Sequence, residues 1–127
     1  MKLLLDTHML LWAAAGTLPK EAETLLSDPT NIPYFSPASI WEIVIKNRLG
    51  RDDFMVEPHL LWRGLKDSYY LELPIIGLHT LAVNDLPMVH KDPFDRILLA
   101  QAKSEGMLFL TSDSALREYP VGIIFIQ

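Results

Sequence analysis

The stretch Lys2-Leu3-Leu4-Leu5-Asp6 determines how the whole chain is interpreted. Its three leucines predict a short buried strand, and an acid follows directly at the carboxyl end. A second apolar run, Met107-Leu108-Phe109-Leu110, is followed after a short gap by Asp113. Open α/β sheets place ligands outside the carboxyl ends of their strands, so acids just past strand ends can meet. The pattern predicts an acidic site at one edge of a sheet.

Two further acids lie in segments that are mostly apolar. Glu42 lies inside the run Ser36 to Ile45, and Asp95 opens the run Asp92-Pro93-Phe94-Asp95-Arg96-Ile97-Leu98-Leu99-Ala100. An acid at the edge of a core segment is poorly solvated and costly unless a cation pairs with it. If these segments flank one sheet, the four carboxylates meet. A hard divalent metal ion is the simplest group that would hold them together.

Each of these acids also has a simpler interpretation. Asp6 and Asp113 can serve only as helix caps, because Asp is a favoured cap residue. Glu42 can be a solvated acid paired with Lys46 four residues later, which contributes about 0.2–0.5 kcal/mol. Its apolar neighbours nevertheless suggest a helix that is buried on most sides, with one acid pointing into a cleft.

Asp92 and Asp95 lie in the same helical turn and need separate assignments. Asp92 precedes Pro93, so it is the expected cap of a helix whose first residue is the proline. Asp95 then occupies the third helical position. We assign Asp95 to the site and Asp92 to the cap, with Asp92 as a possible supporting residue of the site.

Strand and helix patterns alternate along the chain. This predicts a single α/β domain over residues 1–127, with three layers and a mostly parallel five-stranded sheet. Strands are predicted at residues 2–5, 32–35, 70–73, 107–111 and 122–126. Helices are predicted from about residue 7 to Gly16, at 20–26, 37–48, 58–68 and 78–84, and from Pro93 to just before Gly106.

The bulk composition excludes several classes of protein. The 127 residues include no cysteine, which rules out disulfides and thiolate metal sites. Neither a secretory leader nor a membrane span is predicted, so we expect a cytoplasmic protein. The net charge of −5 is unusual for a nucleic-acid-binding protein. Setting the four site acids aside leaves twelve acids against eleven bases, which is close to neutral.

The four histidines lack the close spacing of an imidazole-rich zinc site. His8 is interpreted as structural. His90 is interpreted mainly as a loop residue, although its place two residues before Asp92 would let it line the cleft.

In the order and setting of its acids, the chain resembles the PIN domain, and in particular the VapC-type toxins of bacterial toxin–antitoxin pairs. The resemblance covers nearly the whole chain. It rests on Leu5-Asp6-Thr7-His8 leading to Leu10-Leu11-Trp12, on Ser39-Ile40-Trp41-Glu42-Ile43, and on Asp92-Pro93-Phe94-Asp95-Arg96 running into Ala100-Gln101-Ala102. Thr111-Ser112-Asp113 completes the set.

This resemblance implies a metal-dependent endoribonuclease with a PIN-like fold. It implies Mg²⁺, with Mn²⁺ as a substitute, held by Asp6, Glu42, Asp95 and Asp113. Thr111 and Ser112 would support a metal-bound water. It further implies an RNA substrate, a cognate antitoxin protein, and a homodimer. The antitoxin would lay a helix or extended tail over apolar surface and reach the acids with a basic side chain.

Because Mg²⁺ usually takes only one or two direct carboxylates, Asp6 and Asp95 are the expected direct ligands. Two carboxylates about 4 Å apart repel by about 4 kcal/mol at an effective dielectric constant of 20. The metal-free site is therefore expected to have at least one raised carboxylate pKa. Four basic residues that follow the site acids are candidate RNA contacts, or else ordinary solvated charges: Lys46, Arg48, Lys91 and Arg96.

Other function classes fit less well. A haloacid-dehalogenase pattern needs a second acid at the position of His8, and a receiver domain needs an Asp at the end of the third strand, where Leu73-Pro74 stands. Two alternatives stay open. One is a housekeeping PIN nuclease for RNA processing, and the other is a PIN-fold binding module that does not cut.

Overall fold

The three leucines of residues 3–5 form the central strand of a parallel sheet. The computed structural model describes residues 1–127. Its strands are β1 (Lys2–Leu5), β2 (Ile32–Phe35), β3 (Leu71–Glu72), β4 (Leu108–Thr111) and β5 (Ile123–Phe125). Its α-helices are α1 (Thr7–Ala15), α2 (Lys20–Ser27), α3 (Pro37–Arg48), α4 (Pro58–Asp67), α5 (Gly77–Ala82) and α6 (Pro93–Glu105). Short 3-10 helices cover Asp52–Phe54, Val83–Asp85 and Ser114–Glu118.

The sheet has the strand order β3-β2-β1-β4-β5, and all four neighbouring pairs are parallel. The α/β class and the five strands confirm the prediction, and the sheet is parallel throughout instead of mostly parallel. The predicted β3 is shorter than expected, and the predicted helix at 78–84 is divided between α5 and the 3-10 helix after it. The 3-10 helix at Asp52–Phe54 was not predicted.

Alternation along the strands builds a core on each face of the sheet. Leu3 and Leu5 point to one face and pack with residues of α1, α2 and α4. Leu4 and Phe109 point to the other face and pack mainly with residues of α6. The three predicted layers are therefore helices, sheet and helices.

Helix α3 contributes to both cores, because Ile43 packs on one side and Ala38 on the other. The expectation that this helix is buried on most sides holds for most of its residues, with exposed exceptions at Trp41, Val44 and Arg48. The side chain of Trp41 is 63% exposed and Val44 is also exposed, whereas Ser39 and Glu42 are buried. The polar residues Ser39 and Glu42 are therefore buried together with the apolar residues Ala38 and Ile43.

The ends of α6 follow the sequence signals closely. The Asp92 carboxylate accepts hydrogen bonds from the backbone N–H groups of Phe94 and Asp95, and Pro93 is the first helical residue. At the other end Gly106 has φ 65°, and its N–H caps the carbonyls of the last turn. None of the six α-helices has the length and apolar character that crossing a membrane requires.

Two glycines provide a matched test of these backbone assignments. Gly106→Ala should lower the free energy of unfolding by about 1–2 kcal/mol, because a Cβ disfavours the left-handed conformation. Gly64→Ala, in the interior of α4 with no atom within 4 Å of the added Cβ, should raise it by about 0.5–1 kcal/mol. Urea denaturation of both variants checks the prediction, and effects of the same sign would contradict the assigned helix ends.

Candidate metal centre

The candidate site lies at the point where the strand order reverses. Strand β1 pairs with β2 on one side and with β4 on the other, so the connections leave the sheet in opposite directions. Such a switch point opens a crevice outside the carboxyl ends of the strands. Asp6 follows β1 there, and its N–H donates to the Leu110 carbonyl at 3.1 Å, which extends the β1–β4 ladder up to the first acid.

A cavity of about 210 Å³ lies in this crevice and has no hydrophobic lining residue. All four acids predicted for the site lie along it, so the structure brings them together. The supporting residues Asp92 and Ser112 line it as well. The complete lining is Asp6, Thr7, His8, Glu42, Lys46, His90, Asp92, Asp95, Ser112 and Asp113.

Asp6 is held at the inner end of the cavity by two hydrogen bonds. Its carboxylate accepts from the Met9 backbone N–H at 2.9 Å, which caps α1, and from the Thr111 hydroxyl at 2.6 Å. Asp6 is only 5% exposed. Burial raises the pKa of Asp6, and these two hydrogen bonds oppose that rise.

Glu42 is fixed through both of its oxygens. Oε1 accepts from the Thr7 hydroxyl at 2.6 Å, and that hydroxyl also lies 3.0 Å from Ser39 Oγ. Oε2 pairs with the Lys46 ammonium. The (i, i+4) pair considered in the simpler interpretation is therefore present. It is not a solvated pair, because Glu42 is buried and Lys46 lines the same cavity.

Asp95 stands in the first turn of α6, where its Oδ2 lies 3.0 Å from His90 Nε2. Burial, followed by the negative charges of Asp92 and Glu42, raises the pKa of Asp95 to about 7. The hydrogen bond with His90 opposes this rise. The expected raised carboxylate pKa is thus found at Asp95 and also at Asp6.

Asp113 is the most exposed of the four acids. One of its oxygens accepts from the Ala115 N–H at 3.0 Å and caps the 3-10 helix that follows. Its own N–H donates to the Thr111 hydroxyl at 3.0 Å. Asp113 therefore combines the cap interpretation with a position on the cavity.

The donor set suits a divalent cation that prefers oxygen ligands. The cavity holds five carboxylates, and Lys46 is the only Lys or Arg side chain that lines it. Burial first, and the neighbouring acids second, raise the pKa of Asp6 and of Asp95, which a bound cation would oppose. In addition, His90, Asp95 and Asp113 each place one ligand atom within 4.8 Å of the others. These residues fit the Mg²⁺ or Mn²⁺ ion that the resemblance implies.

Several supporting residues occupy positions different from those expected. The hydroxyl of Thr111 donates to Asp6 and accepts from the Asp113 N–H, so it helps to fix both acids, and its support of a metal-bound water stays a prediction. Arg96 is 8% exposed, and its guanidinium donates to the carbonyls of residues 83, 86, 87 and 90. It is therefore unavailable as an RNA contact. Arg48 and Lys91 are exposed but do not line the cavity.

Three site residues were missed or undervalued by sequence reasoning. Thr7 orients Glu42, and its place directly after Asp6 was the only available signal. His8 was expected to be structural, but it lines the cavity and lies 3.3 Å from Asp53 Oδ2, with its ring against Phe54. His90 is a cavity residue and not merely a loop residue. His90 lies in a loop five residues before Asp95, and this spacing in the sequence does not predict the contact between the two side chains.

Asp95→Asn should stabilise the metal-free protein at high pH. A carboxyl whose pKa is raised in the folded state binds more protons there than in the unfolded chain. Stability is therefore lost as the pH rises from about the ordinary value of 3.8 to about 7. The variant lacks this loss, because its amide does not ionise. In the presence of chelator, its free energy of unfolding should exceed that of the wild type by about 1–3 kcal/mol at pH 8, and by little at pH 4.

Urea denaturation at both pH values measures the difference. Asp67→Asn, at an exposed acid in the last turn of α4, is the matched control and should show no such pH-dependent gain. An Asp95→Asn protein less stable than the wild type at pH 8 would contradict the assignment of buried negative charge.

Comparison with known proteins gives matches at the level of structure. The sequence matches no protein-family model and no curated protein. VapBC2 from Rickettsia felis, bound to a DNA fragment from its promoter, is similar to this chain with a TM-score of 0.74, 13% identity and coverage of 100% of both chains. DNA-bound VapBC from Salmonella typhimurium has a TM-score of 0.69 at 14% identity, over 99% of this chain and 97% of the other.

VapBC-1 from nontypeable Haemophilus influenzae is similar over 98% of each chain, with a TM-score of 0.70 and 14% identity. Identities this low establish a shared fold. The chain thus has the PIN-like fold of chains in VapBC complexes, and the resemblance to VapC-type PIN domains expected from the sequence is confirmed at the level of the fold.

Proposed function

We propose that residues 1–127 form a single PIN domain that acts in the cytoplasm as a metal-dependent endoribonuclease, the toxin of a toxin–antitoxin pair. The observation that carries this proposal is the convergence of Asp6, Glu42, Asp95 and Asp113 on one polar cavity at the switch point of the sheet. Similarity in fold to chains of VapBC complexes supports the toxin assignment.

When bound, Mg²⁺ or Mn²⁺ would lower the pKa of a water and neutralise charge on the scissile phosphate. The hydrogen bonds of the four acids suggest how they divide the work of holding it. Asp95 and Asp113 each keep one oxygen free of protein donors, whereas both oxygens of Asp6 and Glu42 accept hydrogen bonds. We therefore propose Asp95 and Asp113 as the best-placed direct ligands, while the pair Asp6 and Asp95 expected from the sequence stays a prediction.

Lys46 is the residue best placed to meet the phosphate of an RNA substrate. Its ammonium lies in the cavity against Glu42 and 4.9 Å from the centre of the Phe54 ring. There it neutralises Glu42 and offers the cavity its one Lys or Arg charge. Arg48 and Lys91 remain proposals for contacts with RNA outside the cavity.

Cleavage of RNA by the purified protein tests the proposal. Activity should require Mg²⁺ or Mn²⁺, disappear in EDTA, and return when the metal is restored. Asp95→Asn should lower the cleavage rate by at least about 100-fold, the scale expected when one electrostatic group of an active site is lost. Asp67→Asn should cleave at the wild-type rate.

Three results separate the proposal from its alternatives. Folded protein that leaves several RNAs intact with metal present would favour the non-cutting binding module. Cleavage that persists in EDTA would remove the metal from the reaction. Metal-dependent cleavage without growth arrest on expression would favour the housekeeping nuclease over the toxin.

An apolar groove between α1 and α4 supports the proposal of an antitoxin partner. This groove, about 380 Å³ in volume, is lined mainly by hydrophobic side chains such as Leu18, Leu60 and Leu61. A second cavity shares Ala14 and Val56 with it and shares His8 with the acidic cavity. Because neighbouring cavities share lining residues, we propose that a partner segment laid along the groove reaches the acids with a basic side chain.

Leu60→Glu should weaken binding of the cognate antitoxin by at least about 10-fold, because it places a charge in the groove. Leu60 is 62% exposed, so the substitution should leave the fold intact. Leu78→Glu, at a 69% exposed leucine of α5, is the control and should bind normally. Calorimetric titration checks both variants. A loss of binding confined to Leu78→Glu would indicate that the antitoxin binds near α5 and not in the groove between α1 and α4.

We also propose a homodimer. The indole of Trp41, 63% exposed and packed edge-to-face on Phe94 at 5.4 Å, offers apolar surface for it. A monomeric mass by light scattering at all concentrations would contradict this proposal.

A further inference from the structure

His90 is placed as a ligand would be placed. Its Nε2 lies 3.0 Å from Asp95 Oδ2, and Asp113 completes a group whose ligand atoms all lie within 4.8 Å of one another. Adjacent ligand atoms about an octahedral ion with bonds of about 2.1 Å stand about 3 Å apart. The imidazole nitrogen and the carboxylate oxygen, hydrogen-bonded in the metal-free protein, are therefore already at the separation that two neighbouring ligands of one ion would have.

The backbone of His90 is fastened from two sides. Its N–H donates to the Tyr119 hydroxyl at 2.8 Å, and that hydroxyl donates back to the His90 carbonyl at 3.1 Å. Arg96 donates to the same hydroxyl at 3.2 Å and to the Pro87 carbonyl at 2.8 Å. Both Tyr119 and Arg96 are buried. This clamp, formed by Arg96 and Tyr119, gives the loop before α6 a fixed position and presents the imidazole to the cavity.

The chemistry of a nitrogen ligand differs from that of the four acids. Mg²⁺ takes oxygen ligands almost exclusively, whereas divalent transition-metal ions also accept neutral imidazole. An imidazole that binds through Nε2 must carry its proton on Nδ1. The contact with Asp95 in the metal-free protein is then exchanged for a shared ion.

We propose that His90 is a nitrogen ligand of this site, acting with Asp95 and Asp113, and that it makes the site select a transition-metal ion such as Mn²⁺ over Mg²⁺. The inference rests on the proposed metal site, but it concerns which ion is held and by which atoms. It can therefore be tested without any RNA.

Pulsed electron paramagnetic resonance of bound Mn²⁺ provides the direct test, because a coordinated imidazole nitrogen modulates the electron spin echo. The full chain loaded with Mn²⁺ should show ¹⁴N modulation. The modulation should be lost in His90→Gln and kept in His59→Gln, a control at an exposed histidine of α4. His8→Gln should also keep it, although His8 lines the same cavity.

Competition titrations measure selectivity. Replacing His90 by Gln should lower the affinity for Mn²⁺ by at least about 10-fold and change that for Mg²⁺ little, so the preference for Mn²⁺ falls by a similar factor. Tyr119→Phe removes the hydroxyl that holds the His90 backbone and should lower Mn²⁺ affinity while the ¹⁴N modulation persists. His90 is partly exposed, so circular dichroism should find His90→Gln folded.

The inference is overturned if the wild type binds no Mn²⁺ or shows no ¹⁴N modulation. It is also overturned if the modulation survives in His90→Gln or is lost in His8→Gln instead. These results are separate from RNA cleavage. A modulation that depends on His90 in a protein that cuts no RNA would support the inference and remove the proposed function. Metal-dependent cleavage of RNA without the ¹⁴N modulation would support the proposed function and overturn the inference about His90.

Discussion

The constraint on which the rest of the structure depends is the gathering of like charges at the switch point of the sheet. A parallel sheet with β1 at its centre brings Asp6 and the segment after β4 to one crevice, and helices α3 and α6 add Glu42 and Asp95. Negative charges this close and this buried oppose folding, as the raised pKa of Asp95 shows. Much of the surrounding polar structure serves to hold them: Thr7, Lys46, Thr111 and His90 each contact one acid.

The parts of this arrangement that are local in sequence were predictable. Asp6 follows a run of leucines, Asp95 follows an Asp-Pro helix start, and both signals act within a few residues. The strands and helix ends followed from the same short-range rules, and the sheet order was consistent with them. Glu42 was expected to point into a cleft from a helix with apolar neighbours, and it lies on the cavity as expected. Trp41 faces outward, and the acid is buried through the small polar residue Ser39 on its own face.

The parts that depend on distant contacts could not be predicted in this way. The position of His90 depends on Tyr119, which lies 29 residues further along the chain, and on Arg96, which the sequence suggested to be an RNA contact or a solvated charge. Thr7 meets Glu42 across 35 residues, and Thr111 meets Asp6 across 105. A single hydroxyl or imidazole hardly changes the hydrophobic pattern of a sequence. These hydrogen-bond partners can therefore be identified only from the packed structure.

The double use of Asp6 ties the motion of the site to the motion of a helix. One carboxylate oxygen accepts a hydrogen bond from the Met9 N–H and so caps the first turn of α1, while the other accepts from the hydroxyl of Thr111, the last residue of β4. A movement of the Asp6 side chain away from this position breaks the cap of that turn, and fraying of the turn frees one carboxylate oxygen. Hydrogen exchange at the Met9 amide therefore reports how often Asp6 leaves its position in the site, since both changes break the same hydrogen bond.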